Sequence, residues 1–338
     1  EKLTINTRCR EKIAAWLVAL PRPSHLAVES VGFVEWFIDD FRHSVDRIDI
    51  ADATELANRR GKRPKNDWRD ALDMAQRLAR GECPLGYIAD DELMQLRKLG
   101  RHWRRLSSVQ SRVKQCMKSL VMAAILRGPK FDGASAQRWL MAHGHRLKPA
   151  QRRAFADFTR IVQLIELQRG PLRYAIIMAS RSERFAPLTK LLQTVPGIGE
   201  IWACIIVAEI GPFDRFPNAD ALEFWSGLTS DMKKSAGRTQ PGPITKAGSR
   251  TLRWALCNAA LTLCHSDAGQ EAIRQRLIRK NGGIRAKANT AMGRRLLRLL
   301  YAMVRDGKPY QAGPSRNRTA AANKARAKRA RKNRKEAA

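Results

Sequence analysis

Three features of this sequence predict an α/β domain first, a long helical arm next and a mainly α-helical region after it. Up to Ile50, short apolar strand candidates alternate with helical periods, the pattern of an α/β layer with at least partly parallel strands. Two later stretches, Leu93–Leu126 and Gln151–Met178, keep apolar residues at steps of three and four over an unusual length, which predicts an antiparallel arm or coiled coil. Apolar helix candidates then flank Pro196-Gly197-Ile198-Gly199, a helix–hairpin–helix pattern. The boundaries expected are 1–86 for the α/β domain, 87–185 for the arm, 186–310 for the C-terminal domain and 311–338 for a basic tail.

The composition narrows the class of partner. The 338 residues carry 64 Lys+Arg against 31 Asp+Glu, a formal net charge of +33. Gln311–Ala338 holds ten Lys/Arg and one acid, Glu336, so most of the excess belongs to the residues before it. A polyanion is the natural partner, with nucleic acid the default. An anionic membrane surface competes, but no apolar run approaches the ~20 residues of a spanning helix. No signal peptide is legible and the first residue is Glu1 rather than Met, so the natural N-terminus is expected upstream. The six cysteines are scattered with no CxxC pair. Reduced thiols in a cytoplasm and no zinc site are therefore expected, with Cys257 and Cys264 packing on one helix face.

The N-terminal elements follow in order. Leu3–Asn6 is a short strand candidate, and Glu11–Leu20 has Ile13, Trp16, Leu17 and Leu20 at a helical period. His25–Glu29 reads as a buried strand ending in a carboxylate; Phe33–Phe41 resumes a helical period, and Ser44–Ile50 alternates as a second strand. Glu29 thus falls at the C-terminal end of a strand, where open α/β sheets keep their sites. Asn66 is an N-cap for a helix closed by Gly81, with Leu72, Ala75, Leu78 and Ala79 as its apolar stripe. Asp67 and Asp70 lie on one face of its first turn. They read either as complements to the helix dipole or, with Glu29, as oxygen ligands for Mg²⁺ on phosphates. Asp73 reads as a solvated surface charge.

The arm and the C-terminal region are basic. The first long helix has an apolar face and a Lys/Arg-rich face between Arg97 and Lys118. Gly128–Lys148 is expected to be irregular, with His143 and His145 as surface residues rather than metal ligands. Gly197 and Gly199 would present backbone N–H groups at a helix N-terminus, which suits a DNA phosphate. Lys233–Leu256 reads as a Gly/Pro-rich basic loop followed by a helix starting near Ser249. Its Ser235 is surrounded in sequence by Lys233, Lys234, Arg238, Lys246, Arg250 and Arg253, with no acid between Asp231 and Asp267. Such a hydroxyl is either a phosphate contact or a nucleophile toward phosphate. Leu252–His265 and Ile284–Val304 are further helices, and the Ala/Lys/Arg tail after Gln311 reads as a nucleic-acid-binding segment.

Four motifs in this order resemble the DEDD transposases of the insertion-sequence-110 type, including its 1111 branch. HLAVESVG is similar to that family's glutamate strand, and KNDWRDALDMAQRLARG to its paired-aspartate helix. VPGIGEIWACIIVAEIG with FWSGLT resembles the start of its C-terminal transposase domain, and KKSAGRTQPGPITKAGSRTLRWAL its serine block. The resemblance spans nearly the whole chain. It implies a RuvC-like (ribonuclease-H-like) N-terminal domain whose Glu29, Asp67 and Asp70 hold Mg²⁺ or Mn²⁺. The family's first aspartate and its strand have no counterpart from Glu1 on, so this domain is expected to be N-terminally incomplete. It also implies Ser235 as nucleophile, here in Ser-Ala-Gly where the family often has Ser-Gly.

The activity so implied is transposition. Metal-assisted attack of Ser235 on a DNA phosphodiester would give a covalent phosphoserine intermediate, resolved by a second strand's hydroxyl. The partners implied are target and donor DNA, a structured guide (bridge-type) RNA, and further copies of the chain in a dimer or tetramer, in a bacterial cytoplasm and on the nucleoid when bound. Two other readings fit the residues: a RuvC-like nuclease or junction resolvase that uses water, and a non-catalytic nucleic-acid-binding protein.

Overall fold

The computed structural model describes residues 5–6, 8–30, 34–53, 55–56, 66–235 and 238–312, with the backbone alone for 231–235 and 238–241. The predicted strand at Leu3–Asn6 lies mostly outside these residues, as does the basic tail beyond 312. The chain divides into two compact units, Glu1–Asp90 and Asp91–Ala338. Arm and C-terminal region thus fall within one unit.

The first unit is built on two parallel strands, β1 (His25–Glu29) and β2 (Arg47–Ala51), paired from His25↔Arg47 to Glu29↔Ala51. Helix α1 (Arg10–Val18) precedes them and α2 (Val34–Phe41) lies between them in sequence. Their apolar sides close a small core of Ile13, Leu17, Phe41 and Val45, with Leu26, Phe37 and Ile48 packed on it. The strand register is set by polar groups. The Asp46 carboxylate accepts from the Ser24 amide at 2.7 Å, the Ser24 hydroxyl at 3.1 Å and Arg22 Nη1 at 3.0 Å, one residue before the paired stretch. Helix α3 (Asp67–Ala79) is capped by Asn66 as expected, its side chain accepting from the Arg69 amide. Gly81, at φ +70°, follows its C-terminal end.

In the second unit, α4 (Asp91–Ala123) and α6 (Pro149–Ser180) pack along each other, as their apolar period predicts. Met117, Val121, Trp139, Phe155 and Val162 form the core at one end of the pair. The segment between them is not irregular throughout: α5 spans Gly133–His143, followed by a 3-10 turn at Gly144–Arg146. Asp132 caps α5 by accepting from the Ser135 amide at 2.8 Å, and Trp139 donates to the Arg127 carbonyl at 3.0 Å. One buried tryptophan and a cap hold this short helix where a long apolar stripe does not exist. His143 and His145 are exposed, as read from sequence.

The centre of this unit is α8 (Glu200–Ile210), reached from α7 (Ala186–Gln193) and buried at every position from Ala203 to Ile210. Helix α4 holds its C-terminal end: Arg97 donates to the Ala208 and Glu209 carbonyls, and Arg101 grips the buried Glu209 carboxylate at 2.9 and 3.1 Å. Next come α9 (Ala219–Ser226), an antiparallel hairpin of β3 (Ser230–Ser235) and β4 (Arg238–Ile244), then α10 (Arg250–Ser266), α11 (Ala268–Lys280) and α12 (Arg285–Asp306). Helix α10 packs on α8 and α12. None of the cysteines forms a disulfide among the described residues; burial pushes the Cys264 thiol up to about 11. No helix of the described residues is long and apolar enough to cross a membrane.

Candidate functional site

The stretch read as a loop around Ser235 is a β-ribbon. Gly and Pro weaken the strand signal of residues 238–244, yet the backbone pairs from Ser230↔Ile244 to Ser235↔Arg238, with an irregularity between Ser230 and Met232. The ribbon is pinned where it leaves the body. Gly227 ends α9 at φ +69°, and a Cβ there would come within 2.4 Å of the Ala247 nitrogen. A Cβ on Gly248 would lie 2.1 Å from the Trp225 carbonyl oxygen. Two chain segments therefore pass at a separation only glycine permits. Pairing then starts with the Thr245 amide donating to the Thr229 carbonyl at 2.9 Å and the Lys246 amide to Gly227 at 3.1 Å. Five strand steps take the backbone of Ser235 roughly 17 Å from Ser230.

The basic residues of this block divide by what they touch. Arg253 Nη1 donates to the Ser226 and Gly248 carbonyls, at 3.1 and 2.5 Å, so it braces the ribbon base from both sides. Burial lowers its pKa from the ordinary arginine value, and the nearby Arg104 and Arg250 guanidiniums lower it further. Lys246, at φ +57°, and Arg250 are exposed. Of Lys233, Lys234 and Arg238 the backbone alone is described; all three lie on the ribbon, and Arg238 pairs with Ser235. Helix α10 starts where expected, with the Ser249 hydroxyl accepting from the Thr251 and Leu252 amides.

The two hairpin glycines differ in surroundings. Gly197 has φ +96°, and a Cβ would meet Thr262 Cβ at 2.7 Å and the Ala259 oxygen and Leu263 nitrogen at 2.9 Å. Its lack of a side chain lets the turn press onto α10. Gly199, the residue before α8, has open space around its Cα. The α8 N-terminus also carries Glu200, paired with Arg181 at 3.2 Å and Arg173 at 4.0 Å.

The carboxylates predicted for a metal lie in the first unit. Glu29 ends β1, Asp67 and Asp70 occupy the first turn of α3, and α3 lies against β1. Asp73 pairs with Arg77 at 2.7 Å, the surface role expected of it. Among the described residues no three His, Cys, Asp or Glu side chains are grouped to hold a metal ion.

Residues 189–275 match the model described as "Transposase IS116/IS110/IS902 family". That range runs from α7 through α8, the ribbon and α10 into α11. The chain is also 27% identical over 126 residues to the "Insertion element IS110 uncharacterized 43.6 kDa protein" of Streptomyces coelicolor. The alignment covers 37% of this chain and 31% of that relative, so the chain spans about a third of its length.

Proposed function

We propose that this chain is a DNA transposase that works as a serine recombinase, with Ser235 as nucleophile. The observation that carries the reading is that the transposase-like residues 189–275 enclose the braced ribbon on whose first strand Ser235 ends. The ribbon carries the backbone of Ser235 away from its helical base, and the 232–266 stretch brings no acid to repel a phosphodiester. In the step proposed, the Oγ–P bond forms as one P–O bond of the DNA strand breaks. The serine loses its proton and the departing strand oxygen takes one up. A second strand's hydroxyl then attacks the phosphoserine and restores the serine, so a strand is exchanged with no net loss of a phosphodiester.

The finer parts of the reading follow the family resemblance. A structured RNA transcribed beside the coding region selects target and donor DNA, and copies of the chain assemble on them as a dimer or tetramer. The +33 charge fits an assembly with that much polyanion. The test is denaturing electrophoresis of a nicked suicide duplex carrying the element junction, incubated with protein and with or without the flanking transcript. A covalent protein–DNA band is expected with the transcript, and Ser235→Ala abolishes it. Strand cleavage that survives in Ser235→Ala would overturn the nucleophile assignment and favour hydrolysis by water.

A further inference from the structure

A cleft of about 420 Å³ opens beside the base of the ribbon, between α4 and the start of α10. It is nucleotide-sized. Arg104, Ser107, Ser108 and Ser111 line it from α4, Arg250 and Asn258 from α10. Most of its neutral polar groups already have partners within their own helices. The Ser107 hydroxyl donates to the Trp103 carbonyl, Ser111 to Ser107, and Asn258 Nδ2 to Trp254. The arginines differ. Arg253 is committed to its two carbonyls, whereas Arg104 and Arg250 have no acceptor and no carboxylate partner among the described residues. Arg104 Nε is buried away from water and makes no hydrogen bond.

Three arginines, Arg104, Arg250 and Arg253, line one cleft that no acid among the described residues lines, an unfavourable arrangement for an isolated chain. Burial and then the Arg250 charge lower the Arg104 pKa, only partly opposed by the Glu209 carboxylate that Arg101 already holds. What the cleft lacks is an acceptor carrying negative charge, and a planar guanidinium suits a phosphate oxygen pair best. We propose that this cleft binds a phosphodiester group of a polynucleotide strand, with Arg104 and Arg250 as its donors and the exposed Ser108 hydroxyl beside them. Trp254, packed edge-to-face on Trp202 at 4.7 Å, lines the same wall and gives the cleft an aromatic side. The site rests on the reading of the chain as a protein acting on nucleic acid, and it brings in a residue of the arm, Arg104, that the serine block does not contain. A strand held here runs past the ribbon base, so the arm helps set where the strand lies relative to the ribbon.

The test is equilibrium binding of a fluorescent 12-nucleotide oligo(dT) and of oligo(U) to the full chain over a salt series. Arg104→Gln with Arg250→Gln is expected to weaken binding about 10-fold near 100 mM salt. The slope of log K against log salt should become shallower by about 0.7, the share of one single-strand phosphate. Ser108→Asp, at an exposed helix position that does not threaten folding, should act in the same direction by placing an anion in the cleft. An effect on one oligonucleotide alone identifies the strand as DNA or RNA; an effect on both assigns a shared backbone site. Unchanged affinity and slope in both arms, with either variant, would overturn the site. The covalent-band assay separates the two proposals. A Ser235-dependent band with unchanged oligonucleotide binding removes only the cleft, while lost binding without any band leaves the cleft and removes the recombinase.

Discussion

The two units of this chain are held together by different means. In the second, α8 is apolar but for Glu200 and Glu209 and is buried from Ala203 to Ile210, with α4, α6, α7 and α10 packed around it. In the first, a two-stranded sheet is fixed by a polar hub at Asp46, and α3 buries none of its residues. A helix apolar on nearly all sides can only be a core element. An amphipathic stripe such as that of α3 states which side seeks a partner but not whether this chain supplies it. Trp68 and Leu72 are 46% and 44% exposed, and Ala75 and Ala79 on the same face are exposed too.

The largest effect expected from this contrast is at Ile206, which is fully buried. Ile206→Ala removes packed methylenes where three or more helices meet, and should destabilise the second unit by about 2–5 kcal/mol. A urea titration of the helical circular-dichroism signal measures it. A loss below about 1 kcal/mol would mean the centre of this unit collapses around the gap, which rigid packing does not permit.

Acid should separate the units more gently. The Ser24 amide, with Arg22 next in effect, lowers the Asp46 pKa from 3.8 to about 2. A depressed folded-state pKa gives stability that is present above the unfolded value and lost as pH falls through the folded one. The strand-pairing contribution of Asp46 is therefore present above about pH 4 and disappears toward pH 2. Asp46→Asn removes that pH dependence. The amides of β1 and β2 should then exchange hydrogen at a rate that no longer rises between pH 4 and pH 2 relative to the second unit, after correction for intrinsic exchange. An identical pH profile in wild type and Asp46→Asn would show that the hub does not hold the sheet.

Much of the fold was legible because it rests on local rules. The Asn66 cap, the Ser249 start of α10, the parallel pairing implied by strand–helix alternation and the two long arm helices all follow from nearby residues. Helix α5 was less legible because one tryptophan and one cap carry it, too little for a periodic signal. The ribbon was hidden by its own Gly and Pro, residues that weaken strands in general but are tolerated in an isolated two-stranded pair. Gly227 and Gly248 show why the base was not foreseen: each is needed for a close approach to a segment distant in the chain. The same holds for the arginines. Sequence sets Arg253 among the basic residues around Ser235, and its two carbonyl bonds add a bracing role that only the fold shows. Arg104 lies 146 positions before Arg250, and only tertiary packing brings both to one cleft.

The smallest effect is the one that most directly probes the meaning of α3. Leu72→Ser removes an apolar side chain from a helix, as Ile206→Ala does, but at a site 44% exposed. Its cost should stay within about 0.5 kcal/mol, the range of ordinary surface substitutions. Measured on the chain alone, a loss approaching that of Ile206→Ala would show that the stripe is covered in solution and that the contrast between the units fails. A small loss, with a helical signal unchanged between pH 5 and 8, leaves Leu72 as apolar surface that the Asn66 cap and the Asp73–Arg77 pair keep helical without burial.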